Sequence, residues 1–96
     1  MTTRILTRRD IERIPDPDEI LRAVEAAFRA HGLQQTQMPP KSYLFYPRYH
    51  GDLRTMPAYI EPMEATGVKI VNVHPQNKAR GLPTVMAVIV LNDPAT

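Results

Sequence analysis

Hydrophobic and polar positions change period once along the chain, from a helical repeat to an alternation of two. Ile20, Leu21, Val24, Ala27 and Phe28 fall at helical spacing while Arg22, Glu25 and Arg29 face away, which predicts an amphipathic helix over residues 17–31. Asp16 stands where an N-cap belongs, Pro17 suits the first helical position, and Glu19 reaches back from the third. Glu25 and Arg29 form an i,i+4 pair in the favourable orientation, and Gly32 is the expected helix-ending glycine. Upstream, Thr7 and Asp10 are spaced as a capping box for a short helical segment from Asp10 to Ile14. Arg4-Ile5-Leu6 reads as an opening strand.

Beyond Met38-Pro39-Pro40 the alternation begins. Lys41, Tyr43 and Phe45 share one face of a strand, and Ser42, Leu44 and Tyr46 share the other. Pro47 to Asp52 reads as a hairpin loop, and Leu53 to Ile60 as the return strand, with Pro57 implying an edge or a bulge. After a turn over 61–66, Val68 to Val73 and Thr84 to Leu91 are β-branched runs joined by the polar loop 74–82. The expected fold class is α+β: a mostly antiparallel or mixed sheet with one long helix packed on it.

Ninety-six residues allow one domain, here residues 1–96, near the lower limit of independent stability. Net charge is +2, with the arginines scattered among acids, so no clustered basic face points to nucleic acid. The absence of cysteine excludes a disulfide scaffold, and the three histidines lack metal-ligand spacing, so no metal is expected. No apolar run approaches a membrane span and no signal-peptide pattern opens the chain, from which a cytoplasmic protein is expected.

The candidate chemistry is cationic. Lys69 interrupts an apolar strand on the face of Val71 and Val73, opposite Asn72 and His74. It is either an edge-strand or snorkelling lysine, or an anion clamp or proton donor tuned by burial. Arg54, at the mouth of a hairpin, suits either a salt bridge to Asp52 or Glu61 or a bidentate grip on a carboxylate. Lys41 either opens its strand or joins the same site. Gly81-Leu82-Pro83-Thr84 has neither the P-loop nor the dinucleotide fingerprint, and Thr84 is either a strand former or a ligand contact.

Four ordered motifs then carry a resemblance. They are Gln37-Met38-Pro39-Pro40-Lys41, the run Gly51 to Tyr59, the run Gly67 to Pro75, and Gly81 to Ala87. Together they resemble the ornithine cyclodeaminase/mu-crystallin family, in the branch that includes an alanine dehydrogenase. The resemblance implies a homodimeric NAD(P)-dependent enzyme of amino-acid metabolism, an oxidoreductase or a lyase. Its chemistry would be hydride exchange at the α-carbon of an amino acid through an imine. It implies that Lys41 and Arg54 hold the carboxylate of a small amino acid or 2-keto acid. Lys69 would contact the substrate and serve as the catalytic proton-transfer group, and Thr84 would touch the cofactor.

The family pattern runs on into a nucleotide-binding domain, whereas this chain stops in the turn signal Asn92-Asp93-Pro94. The expectation is therefore an N-terminal substrate-binding and dimerisation part that binds no NAD or NADP tightly and is inactive alone. The alternatives are a stand-alone dimerisation or small-anion-binding module, and a structural remnant without a ligand.

Overall fold

The computed structural model describes residues 1–14 and 16–96. Two helices, α1 (Arg8–Glu12) and α2 (Pro17–Gly32), precede five strands: β1 (Thr36–Gln37), β2 (Ser42–Tyr46), β3 (Gly51–Ile60), β4 (Ala65–Val73) and β5 (Val85–Asn92). All the strand pairs are antiparallel, in the order β1-β3-β4-β5, with β2 beside β1 along the same edge of β3. The α+β expectation holds in this form, although Arg4-Ile5-Leu6 is not a strand. Those residues are exposed and outside the sheet's pairings, so the apolar run has no ladder to join.

The helix starts follow from their caps. In α1, Thr7 Oγ1 accepts from Asp10 N at 3.2 Å while Asp10 Oδ2 accepts from Thr7 N at 2.8 Å, completing the capping box. In α2, Asp16 Oδ1 accepts from Asp18 N at 3.0 Å and Pro17 occupies the first turn. The C-terminus differs from expectation. Gly32 is still helical, and the left-handed residue is Gln34, at φ 60°. Gln35 N donates to Ala30 O at 2.9 Å and Gln34 N to His31 O at 3.1 Å, the two bonds of a Schellman motif. The helix therefore includes the glycine, and the left-handed turn that closes it lies two residues later.

Helix α2 does not lie across the sheet. Ala30 is buried and Ala27 half-buried, but Ile20, Leu21, Val24 and Phe28 are exposed. Only the C-terminal turns of α2 approach β3, where Glu61 N donates to Gln35 O at 3.1 Å. The sheet's own buried centre is Val71, in the middle of β4.

Three connections between strands share one device. Each is a 3-10 turn opened near a proline (Pro47, Pro62 or Pro75) and closed by a left-handed residue, His50, Glu64 or Gly81. Pro57 is not on an edge strand, because β3 is flanked on both sides. It lies where that flank is interrupted. The pairs Gln37↔Tyr59 and Ser42↔Thr55 leave four residues, Met38 to Lys41, opposite three, Met56 to Ala58. The bulge that proline suggested is therefore present in the neighbouring segment.

Candidate functional site

Strand register puts two of the three candidate cations, Arg54 and Lys69, on one face; Lys41 immediately precedes β2 and has no strand partner. Lys69 pairs with Met56 of β3 and Ile89 of β5, and Arg54 pairs with Tyr43 of β2 and Val71 of β4. Alternation then places Tyr43, Arg54, Met56, Ala58, Lys69 and Val71 on the same side. Lys69 is on an inner strand, so the edge-protection reading fails. Its side chain is exposed.

Lys41 and Lys69 meet across the interruption beside β3. They line one cavity of about 520 Å³, whose walls are Met38, Pro39, Pro40, Met56, Pro57 and Ala58. No acid lines it, and neither lysine has a salt-bridge partner among the described residues. The bulge makes this possible: two prolines in succession cannot donate to a ladder, so the chain leaves the sheet and returns at Ser42. An apolar cup with two unneutralised ammonium groups is suited to a small anion with an apolar remainder.

Arg54 is held otherwise. Its Nε donates to Asp52 Oδ1 at 2.6 Å and its Nη2 to Asp52 Oδ2 at 3.2 Å. Its guanidinium lies 5.3 Å from the Tyr43 ring centroid, and Tyr43 stacks on Phe45. Of the two salt bridges considered, the partner is Asp52. The hydrogen bond from Arg54 holds the Asp52 carboxyl below its ordinary value of 3.8, against some desolvation, and raises the guanidinium in turn. Arg54 does not line the lysine cavity, although it stands two residues along the same face, roughly 7 Å away at 3.3–3.4 Å per residue.

Thr84 is not brought to the lysines. Its carbonyl accepts from His74 N at 2.8 Å, five residues along β4 from Lys69, or roughly 16 Å. The loop that carries it is pinned by buried Asn77, whose Nδ2 donates to Pro83 O at 3.0 Å. His74 stacks on Tyr46, and Gly51 makes room for its ring: a Cβ there would stand 2.5 Å from His74 Cδ2. His74 Nδ1 is buried with no hydrogen-bond partner among the described residues, and the residue lines a smaller cavity of about 200 Å³ together with Arg48 and Arg80. Sequence reasoning passed over this cavity, because its two arginines belong to different turns.

The family model for the ornithine cyclodeaminase/mu-crystallin family matches residues 1–96, the whole chain. The chain belongs to that family. An alanine dehydrogenase from Archaeoglobus fulgidus is 50% identical over 96 residues, which are 100% of this chain and 29% of that protein. A solved archaeal alanine dehydrogenase dimer with bound NAD superposes with a TM-score of 0.85 at 49% identity, over 95% of this chain and 27% of the other. The Delta(1)-pyrroline-2-carboxylate reductase of Thermococcus litoralis, solved with NADH and L-proline, gives 0.87 at 36% identity, over 93% and 28%. The chain thus spans less than a third of the length of the relatives it matches.

The two helix starts among the described residues are taken up by the chain's own side chains. A pyrophosphate is held by free N–H groups at a helix N-terminus. Here the start of α1 is occupied by Thr7 and Asp10, and that of α2 by Asp16 with Asp18 and Glu19 in its first turn. The acids repel the group such a site would hold. Among the described residues, no helix is long and apolar enough to cross a membrane.

Proposed function

We propose that this chain is the substrate-gripping part of an NAD(P)-dependent amino-acid dehydrogenase, reductase or cyclodeaminase, and that it holds the carboxylate of an amino acid or 2-keto acid. The observation that carries the reading is the pair Lys41 and Lys69 at one acid-free cavity. Each ammonium donates to a carboxylate oxygen, and the proline and methionine walls offer apolar contact to the remainder. A hydrogen bond to a charged group contributes about 1.5–3 kcal/mol. Arg54 stands two residues along the same face with its charge paired to Asp52, and a substrate carboxylate reaching it would share the guanidinium with that acid. Lys69 carries the proton in the whole enzyme, and Thr84 meets the cofactor from this side. No step through the nicotinamide is assigned to these residues, and the chain by itself is expected to be without turnover. The relatives' names support the reaction class: they include an alanine dehydrogenase and a reductase solved with NADH and L-proline.

A homodimer is part of the proposal. Strand β5 is exposed along its whole length, and Val88, Ile89 and Leu91 present apolar surface for a second copy to cover. The second reading is a stand-alone anion-binding module. The basic cavity at Arg48, His74 and Arg80 favours it.

Thermal unfolding with pyruvate, alanine or ornithine tests the grip. At a ligand concentration of 100 times Kd, binding stabilises the native state by about 2.7 kcal/mol. The expected result is a rise in Tm that Lys69→Ala and Arg54→Ala diminish and Lys78→Ala leaves intact. A rise equal in all four proteins would move the anion elsewhere. The same chain should give no NAD(P)-dependent turnover.

A further inference from the structure

The lysine cavity adjoins a second one. Met38 and Ala58 line both, so the cup headed by Lys41 and Lys69 shares a wall with a space of about 330 Å³ beneath the last turns of α2. That space is bounded by Ala27 and Phe28 from the helix and Ile60 from β3. Its two polar members are His31 and Thr36, whose Nδ1 and Oγ1 lie 2.8 Å apart and hydrogen-bond each other. A polar pair satisfied in this way has little left to offer a ligand. No acid lines either cavity, so a ligand ammonium at the far end of a side chain would find no partner there. The shared wall is partly Met38, an unbranched thioether that adapts its shape to a neighbour.

We infer that this site selects carboxylates with an apolar, branched or ring-sized body, the head on Lys41 and Lys69 and the body in the space under α2. The inference rests on the carboxylate grip proposed above and adds the substrate class. Small acids such as pyruvate fill the head cavity only. A basic side chain like that of ornithine is disfavoured, because its ammonium would lie along apolar walls with no counter-ion in either cavity.

The experiment is a methyl NMR titration of the full chain labelled at its methionine methyls, with pyruvate and with 4-methyl-2-oxopentanoate. Met38 and Met56 report on the site, while Met63 and Met86 line neither cavity. Both acids are expected to shift Met38 and Met56. The larger acid should bind on the order of tenfold more tightly: a fully buried methylene contributes about a fourfold gain, and the open space covers the three extra carbons only in part. Ala27→Leu, which fills the space with a good helix former, should draw the ratio toward one. Phe28→Ser should reduce it too; that side chain is 76% exposed, so the fold does not depend on it. Equal affinities, or a ratio that both variants leave unchanged, overturn the inference and leave the carboxylate grip standing. No shift with either acid, or pyruvate shifts that persist in Lys69→Ala, overturns both.

Discussion

Gly67 and Gly32 make a paired prediction of opposite sign. Gly67 faces Leu91 across the β4–β5 ladder, two residues before Lys69. A Cβ there would sit far inside contact distance of Val90 O, with Leu91 Cδ2 at 3.1 Å and Val90 C at 3.2 Å. Two of these three atoms are backbone, so no rotamer change relieves the clash and β5 must move. Gly67→Ala gains about 0.4–1 kcal/mol from a less flexible unfolded chain. Overpacking costs about 1–3 kcal/mol, so the net loss is expected at about 0.5–2 kcal/mol. Gly32 has nothing within 4 Å of an added Cβ and lies in the last turn of α2 without a positive φ. Gly32→Ala keeps only the favourable part and should gain about 0.4–1 kcal/mol.

Urea unfolding followed by circular dichroism reads both variants. For a chain of this size, each kcal/mol moves Tm by about 4–8 °C, so thermal scans give a second reading. Amide NMR should place the disturbance of Gly67→Ala along 66–69 and 89–92, the paired segments. A Gly67→Ala protein as stable as the parent would refute the close approach of β4 and β5. With it would go the register that sets Lys69 opposite Ile89.

Two further outcomes are expected. Asp52 has its carboxyl held low by Arg54, so its contribution to stability is present above pH 3.8 and is lost as pH falls through the depressed value. Asp52→Asn should flatten the acid limb of a stability-versus-pH curve, and an unaltered limb would show that the pair does not persist in solution. Val71 is 6% exposed at the centre of the sheet, and Val71→Ala should cost about 1.5–3 kcal/mol in urea unfolding.

What could be read in the sequence was local. Thr7 and Asp10, Asp16 and Pro17, and the β-branched runs of β4 and β5 are short-range signals. The caps form as spaced and the strands differ from expectation only at their ends, but the first helix runs Arg8–Glu12 directly from its Thr7 cap and not from Asp10 to Ile14. The face shared by Arg54 and Lys69 followed from alternation once the register was known. Three features were not legible. Strand β1 is two residues long and has no period to read. The turn that closes α2 is set by backbone pairing at Gln34 and Gln35, beyond the glycine that signals the helix end. The meeting of Lys41 with Lys69 depends on a bulge of four residues against three, which no pattern within either strand reports. Arg4-Ile5-Leu6 failed in the other direction, since an apolar triplet is a strand only where an edge is available to pair with.

The central claim is that Lys41 and Lys69 together hold a carboxylate. A crystal of this chain soaked with oxamate, a pyruvate isostere, tests it most directly. The account predicts one oxamate in the cavity walled by Pro39, Pro40 and Met56, its carboxylate oxygens within hydrogen-bond distance of both ammonium groups. Oxamate bound instead between Arg48 and Arg80, or a lysine cavity that stays free of it at saturating concentration, would contradict the account.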